Sequence, residues 1–351
     1  MIHDDADRIK EELNDYNEIK VKVGLFGQPG SGKSSLVNAL TGTKLSKPGV
    51  ENDMIPGEPI ECKGLLFVDL PGFGTEKFPK ETYFKRFDIP SFDLILCVFD
   101  GKWRQADSEF FRKILEIKKH CIFIRNKCDD LWEEGFTSEE LRERILVNVQ
   151  ELSKADVNVY FTSCKTKEGL GDLNDAIFQI LVPAKREKWA REAKAYSLQF
   201  LEDKRNACEK HVAIAAGAAA VNALNPIPGV DIAIDMGVLL TLFKDVKESF
   251  GLNDHVLSQV QSFAPGLAGM ANKIIQYAAK EGILLLLKQF VGKEALKEFS
   301  KYIPFIGQAV AMGAGYAITS NAGKMYLDYC YNVSRAILEK ELGINSNSQA
   351  S

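Results

Sequence analysis

The chain has 351 residues, with 44 Lys and Arg against 48 Asp and Glu and a hydrophobic content of 46%. The length suggests two domains or one large one, and the composition is that of a globular protein; a net charge of -4 gives no general case for nucleic-acid binding. Cys62, Cys97, Cys121, Cys128, Cys164, Cys208 and Cys330 lack metal-ligand spacing, and with a polar, acidic N-terminus that shows no cleaved signal they fit a reducing, cytoplasmic compartment.

Residues 1–18 are acidic, and Ile9, Leu13 and Tyr16 recur at helical spacing. This predicts an amphipathic helix that docks on its own chain. A short apolar, β-branched run then ends at Gly27 and is followed by Gln28, Pro29, Gly30, Ser31, Gly32, Lys33, Ser34 and Ser35, and by the amphipathic run Leu36 to Leu40. Strand, glycine-rich loop and helix at GxxxxGKS spacing is the context of a phosphate-binding loop. Gly30 and Gly32 let successive N–H groups point inward. Lys33 supplies a cation for the β- and γ-phosphates, Ser34 a hydroxyl for Mg²⁺, and the helix N-terminus adds attraction for anions.

Residues 43–62, with Pro48, Gly49, Pro56, Gly57 and Pro59, read as a loop where a nucleotide-sensing switch would lie. Gly64 to Asp69 is a continuous apolar run ending in a carboxylate, a buried parallel strand. Asp69 is placed to hold Mg²⁺ through water, and the Gly72 amide of the Asp69-Leu70-Pro71-Gly72 string to reach the γ-phosphate. Residues 73–90 are expected to be mixed and mobile. Phe92 to Asp100 is a further buried strand, a helix follows over about 107–119, and Cys121 to Arg125 is another strand, in which Cys97 and Cys121 read as core packing.

The string Asn126-Lys127-Cys128-Asp129 decides the base. Guanine presents N1–H and the exocyclic amine as paired donors, which one carboxylate accepts and which adenine lacks. Asp129 is the reader, Asn126 fixes the loop, and the Lys127 stem stacks along the base. Losing the bidentate contact should cost on the order of 2–5 kcal/mol. Val157 to Phe161 is the last strand, and the loop with Ser163, Cys164 and Lys165 offers a backbone N–H to guanine O6. Leu170, Leu173, Ile177 and Ile180 mark a helix ending before Pro183. The alternation implies an α/β fold, a doubly wound, mainly parallel sheet with these loops gathered at the carboxyl edge.

These residues resemble the TRAFAC-type P-loop GTPases and, more narrowly, the interferon-inducible, immunity-related GTPases. The narrower resemblance lies in FPKETYFKRFDIPSFDLILCV (78–98), FIRNKCDD (123–130) and LVPAKREKW (181–189). It covers about residues 19–190; beyond them it rests on helical character. It implies that Lys33 and Ser34 hold phosphate and Mg²⁺, that Asp69 serves the metal and that Asn126, Lys127 and Asp129 read guanine, with dynamin-like self-association in the GTP state. Two positions depart from the pattern. Asp53 stands where the switch normally offers a Thr to Mg²⁺; it could ligate the metal or repel the γ-phosphate. Phe73 stands where many GTPases carry a water-orienting Gln, which points to slow intrinsic hydrolysis completed by a partner or second subunit.

After Pro183 no strand pattern of length follows. Trp189, Ala193, Tyr196 and Phe200 predict one helical face, and Lys185, Arg186, Lys188, Arg191 and Lys194 a basic, solvated one, with contact to an anionic membrane as the minority reading. Residues 212–230 and 302–323 carry no charge. Their Pro, Gly and polar residues favour buried helical hairpins over membrane spans. Ile227-Pro228 and Ile303-Pro304 lead into similar strings at constant offset, an echo open to duplication or chance. Asp231 and Asp235, one turn apart, read as solvated or capping rather than as a metal pair. Tyr326, Tyr329, Val333 and Ile337 mark a last helix, and the final residues read as a disordered tail.

The expected organisation is an N-terminal helix (1–18) packed with the helical domain, a G domain (19–184), an α-helical domain (185–345) and a tail (346–351). The expected function is Mg²⁺-dependent hydrolysis of GTP to GDP and phosphate, relayed to the helical domain for assembly or peripheral membrane contact. A guanine-nucleotide scaffold with negligible turnover is the alternative. An RNA- or ribosome-assembly GTPase would need a basic second domain that this sequence lacks.

Overall fold

The computed structural model describes residues 15–16, 18–45, 57–101, 103, 105–222, 231–290 and 306–344, without the side chains of 105–106, 221–222, 231–236, 287–290 and 306–314. Most of the N-terminal helix, the switch segment with Asp53, both Ile-Pro echoes, the side chains of Asp231 and Asp235 and the tail lie outside the described residues. The chain forms two compact units, one of Ile19–Tyr196 and one of Ser197–Ser351 with Met1–Glu18.

The first unit is built on β1 (Val21–Phe26), β2 (Pro59–Cys62), β3 (Leu65–Leu70), β4 (Leu94–Phe99), β5 (Cys121–Arg125) and β6 (Val159–Phe161), in the order β2-β3-β1-β4-β5-β6. All neighbours are parallel except β2 with β3. β4 is apolar and buried throughout, and β1 is so apart from the half-buried Lys22, as expected of strands covered on both faces. Helices α1 (Lys33–Thr41), α2 (Lys80–Arg86), α3 (Gln105–Glu116), α4 (Ser138–Ser153), α5 (Leu170–Ile180) and α6 (Pro183–Glu192) complete it.

Three features differ from the sequence reading. Strand β2 lies where turn residues predicted only loop. It is an edge strand whose first residue is Pro59, the place where a strand tolerates a missing N–H. Helix α4 carries little apolar periodicity; it is set by a reciprocal cap in which Thr137 Oγ1 accepts from Glu140 N and Glu140 returns a bond to Thr137 N. Residues 73–90 are ordered rather than mixed and mobile. Phe73, Phe78, Tyr83, Phe87 and Ile89 are buried in one cluster with Phe110, and each such side chain contributes about 1.5–3 kcal/mol. Their spacing is irregular, so no periodic signal announced them.

The first unit also runs twelve residues past the expected boundary at 184, to Tyr196. Trp189 is fully buried, with its ring 6.3 Å from Phe67 of β3. Asn174 Nδ2 donates to Lys194 O at 2.6 Å, Lys194 N to Leu40 O at 2.8 Å, and Tyr196 Oη to Ala39 O at 2.7 Å. The single helical face through Trp189, Ala193, Tyr196 and Phe200 is therefore corrected. Helix α6 stops at Glu192, Lys194 and Tyr196 bind the first unit's helices, and Phe200 belongs to the next helix. The basic face is not solvated either. Lys188 and Arg191 are buried against Glu192, Lys185 pairs with Asp93 at 2.5 Å, and Arg186 donates to the Phe178 and Gln179 carbonyls.

The second unit is helical: α7 (Leu198–Asn222), α8 (Asp231–Ser249), α9 (Asp254–Phe263), α10 (Ala268–Tyr277), α11 (Lys280–Phe290) and α12 (Ile306–Glu341). α7 and α12 run antiparallel, with Arg205 paired to Asp328 and Glu209 to Lys324. Gly323 sits so close to Val212 that a Cβ would lie 2.6 Å from it, and Ala216, Ala219 and Ala322 are buried around this seam. Small residues here allow helix–helix approach. Among the described residues no helix is long and apolar enough to cross a membrane. Tyr326 stacks on Phe243 at 4.1 Å and donates to Ile274 O at 3.1 Å.

Trp189→Ala should destabilise the full chain by about 3–5 kcal/mol, read as a lower midpoint in urea unfolding monitored by circular dichroism. A change below about 1 kcal/mol would show that this ring does not anchor 185–196 to the sheet.

Candidate guanine-nucleotide site

The loop after β1 is shaped by close backbone approach. A Cβ on Gly27 would lie 2.0 Å from Val98 O of β4, and one on Gly32, whose φ is +89°, would lie 2.3 Å from Asn126 Nδ2. Only glycine fits both places. Helix α1 starts at Lys33, so Lys33, Ser34 and Ser35 form its first turn. Pro29 and Gly30 are exposed at the loop tip. Ser31 is buried, and its Oγ has no hydrogen-bond partner.

Lys33 Nζ donates to Gly27 O at 2.7 Å and Gln28 O at 3.2 Å, and stands 3.4 Å from Asp69 Oδ1. Both side chains are nearly buried, at 12% and 13% exposure. Burial pushes the Asp69 carboxyl above the usual carboxylate range, and Lys33 pulls it back. Asp69 Oδ1 accepts no hydrogen bond, the ion pair notwithstanding. A buried, under-partnered carboxylate at the end of β3 fits a cation. Among the described residues no group of three His, Cys, Asp or Glu could hold a metal; a Mg²⁺ held by one carboxylate, a hydroxyl and substrate phosphates needs none.

Gln28 turns away from this pair and donates from Nε2 to Asp107 Oδ1 of α3 at 3.3 Å. Gly72 follows β3, and its carbonyl accepts from Thr75 Oγ1 at 3.3 Å. The carbonyl before it, Pro71 O, accepts from Tyr83 Oη at 2.5 Å. Burial raises the Tyr83 phenol far above its ordinary range, so it stays protonated. Phe73 is buried in the aromatic cluster, 5.2 Å from Tyr83 and 5.6 Å from Phe110.

Asn126 ties the glycine-rich loop to the loop that follows β6. It is buried, donates from Nδ2 to Ser31 O at 2.9 Å, and accepts at Oδ1 from Thr162 Oγ1 at 3.2 Å and Cys164 Sγ at 3.6 Å. Lys127 has a left-handed backbone, φ 55°, and its Nζ meets Asp100 Oδ2 at 2.6 Å. The Ser163 hydroxyl, with Lys165 3.6 Å away, holds the Asp129 carboxyl below its usual range, so it is an acceptor at neutral pH. Ser163 Oγ accepts from the amides of Lys165 and Thr166. Burial pushes the Cys164 thiol up to about 11, leaving it uncharged.

Gly32, Ser35, Asn126, Lys127, Asp129, Cys164 and Lys165 line one cleft of about 880 Å³. Gly27 to Ser31, Lys33, Ser34, Asp69, Gly72 and Ser163 stand outside that lining. Asn38, Ala39, Lys44, Asp130, Lys167 and Tyr196 complete it and were missed in the sequence, as was Asp100. Asp100 could have been noticed as a carboxylate ending a buried strand, but Tyr196 carried no signal because its register pointed to a helix core.

Sheet, loops and cleft define the first unit as a P-loop GTPase domain, a doubly wound α/β sheet, joined in this chain to a helical unit. A family model described as interferon-inducible GTPase (IIGP) matches residues 2–280, and the chain belongs to that family. It is a GTPase, an enzyme that hydrolyses GTP. It is 26% identical over 349 residues to interferon-inducible GTPase 5 of Bos taurus, covering 89% of this chain and 73% of that one. It is 22% identical over 357 residues to interferon-gamma-inducible GTPase 10 of Mus musculus, covering 95% and 84%. Among solved structures, Toc33 from Arabidopsis thaliana in complex with GDP and Mg²⁺ matches 45% of this chain and 78% of its own, with 15% identity and a TM-score of 0.32.

Asp129→Asn should cost guanine nucleotides about 2–5 kcal/mol of affinity and shift preference to xanthine nucleotides, as read by calorimetric titration with GDP and XDP. Unchanged GDP affinity would remove Asp129 as the base reader.

Proposed function

We propose that the chain hydrolyses GTP to GDP and phosphate in a Mg²⁺-dependent reaction, using the residues gathered around Lys33. The observation that carries this reading is the position of Lys33 Nζ, held by two loop carbonyls and the Asp69 carboxylate at the mouth of the glycine-rich loop. Such an ammonium can exchange its carbonyl partners for phosphate oxygens with little motion. It then stabilises charge on the β- and γ-phosphates as water attacks the γ-phosphorus. The amides of Gly30 to Ser34 cradle the phosphates, and the Gly72 amide binds the γ-phosphate. Ser34 and Asp69 would hold Mg²⁺, which supplies positive charge that neutralises the departing phosphates. Asn126, Lys127 and Asp129 bind the base, with Ser163, Cys164 and Lys165 closing over its O6 edge.

Turnover by the isolated chain is slow, because the residue after Gly72 is a phenylalanine buried in the core and orients no water from there. A second copy in the GTP state supplies what is missing, and the helical unit passes nucleotide state to assembly or a membrane surface. The basic residues of 185–191 are engaged internally, so a membrane contact would have to use another surface. The same Phe73 favours the scaffold reading, in which nucleotide is held without turnover.

Phosphate release measured at rising protein concentration separates the two. Specific activity that climbs with concentration supports activation by self-association, and no release at any concentration favours the scaffold. Chelating Mg²⁺ should abolish release. Lys33→Ala should lower GTP affinity by at least about 100-fold, since charge-assisted contacts are lost in a partly buried site; retained affinity would refute the phosphate role. Co-sedimentation with liposomes in GDP and in a slowly hydrolysed GTP analogue tests the membrane contact, and equal pelleting in both would remove a nucleotide-controlled one.

A further inference from the structure

Hydrolysis as proposed above needs the Gly72 N–H aimed at the γ-phosphate, and the group placed to aim it lies in the aromatic cluster. Pro71 C=O and Gly72 N–H are the two ends of one peptide unit. That unit is planar and trans, so its oxygen and hydrogen point in opposite directions. Tyr83 Oη donates to Pro71 O at 2.5 Å. The Tyr83 ring is fully buried and fixed by Phe73 at 5.2 Å, Phe87 at 4.7 Å and Phe110 at 5.8 Å. A rigid donor in the core thus pins the oxygen end, and the N–H end is turned away from the core.

The hydroxyl is not needed for packing. The neighbouring rings at 73, 84, 87 and 110 are all phenylalanine, and a buried hydroxyl is costly unless its hydrogen bond does something. We propose that Tyr83 is a positioning residue for GTP hydrolysis: its hydroxyl sets the orientation of the Pro71–Gly72 peptide, and through it the recognition of the γ-phosphate. Tyr83 touches no phosphate itself. The inference rests on the reading of the Lys33 pocket as the phosphate site.

The two nucleotides differ in the group that the Gly72 amide would meet, so the ratio of their affinities is the readout. Full-length Tyr83→Phe is expected to bind GDP as the parent does. It should bind a slowly hydrolysed GTP analogue about 5–10-fold more weakly, the worth of one aimed hydrogen bond, and show a lower kcat for phosphate release. A parental affinity ratio overturns the proposal, whether or not thermal stability falls. Phe84→Leu thins the same cluster without touching the hydroxyl; it should lower Tm and leave the ratio alone, and an equal drop in the ratio assigns the effect to packing and overturns the role of the hydroxyl. If Tyr83→Phe does not fold, 3-fluorotyrosine at position 83 keeps the ring and alters the donor, and an unchanged ratio again overturns it. Lys33→Ala separates the two levels. If that variant still binds GTP at parental affinity, the phosphate site and this inference fall together; if it loses GTP while Tyr83→Phe keeps the parental ratio, only the inference fails.

Discussion

The nucleotide site depends on one buried amide. Asn126 is the point where three segments far apart in sequence meet, the phosphate loop through Ser31 O, the last strand through Thr162 Oγ1, and β4 through its own N–H to Phe99 O. A carboxamide suits this place because it donates on one side and accepts on the other, and burial makes both bonds costly to lose. Leucine has the volume without the bonds, and aspartate cannot donate to Ser31 O. The glycine at 32 follows from the same contact, since any side chain there would occupy the space of the Asn126 nitrogen. The glycine-rich loop and the loops proposed to read the base are therefore joined through this amide in the protein itself.

Around that fixed point the charges are held short of satisfaction. Lys33 and Asp69 are nearly buried, yet Asp69 Oδ1 accepts no hydrogen bond, and Ser31 Oγ, also buried, has no partner. A protein selected for stability alone would fill such positions with apolar groups, because a buried ion pair seldom recovers its desolvation cost. The arrangement makes sense if the missing partners belong to the ligand, so that the protein is preorganised for charge it does not itself contain. The base side is the opposite case. Asp129 is supported by Ser163 and Lys165, so the carboxylate proposed to read guanine is ionised and held beforehand.

How much of this could be read from the chain follows from which forces act locally. The glycine-rich loop, Asp69, Asn126 and Asp129 could be singled out because the proposed chemistry needs fixed residue types at fixed spacing, and the structure sets Lys33 beside Asp69 and Asn126 against Ser31. The parallel strands were legible because burial on two faces leaves an unbroken apolar run. Strand β2 was not, because an edge strand carrying Pro59 has the composition of a turn. The Phe73 to Ile89 segment was not, because its burial is tertiary and follows no period. The stretch 185–196 misled for a related reason. Its lysines and arginines look like a solvated face, yet Glu192 pairs with Lys188 and Arg191 and Asp93 with Lys185, and Trp189 draws the helix onto β3. Local charge gives no sign of a partner supplied from another element.

A phenylalanine rather than a polar residue after Gly72 sets what controls the loop. A polar side chain there would answer to solvent and to the ligand. Phe73 answers to the core, where Tyr83, Phe84 and Phe110 surround it and the Lys113 ammonium lies 5.4 Å over its ring. Any movement of Gly72 toward or away from a phosphate must drag an aromatic ring through a packed cluster, and packed clusters rearrange between discrete arrangements rather than deform smoothly. α2 and α3 form the walls of that cluster, and Lys80 of α2 is tied to Glu109 of α3 at 2.5 Å. The proposed γ-phosphate end of the site is thereby linked to two surface helices, so pressure on those helices from another molecule would reach Gly72 through contacts already in place.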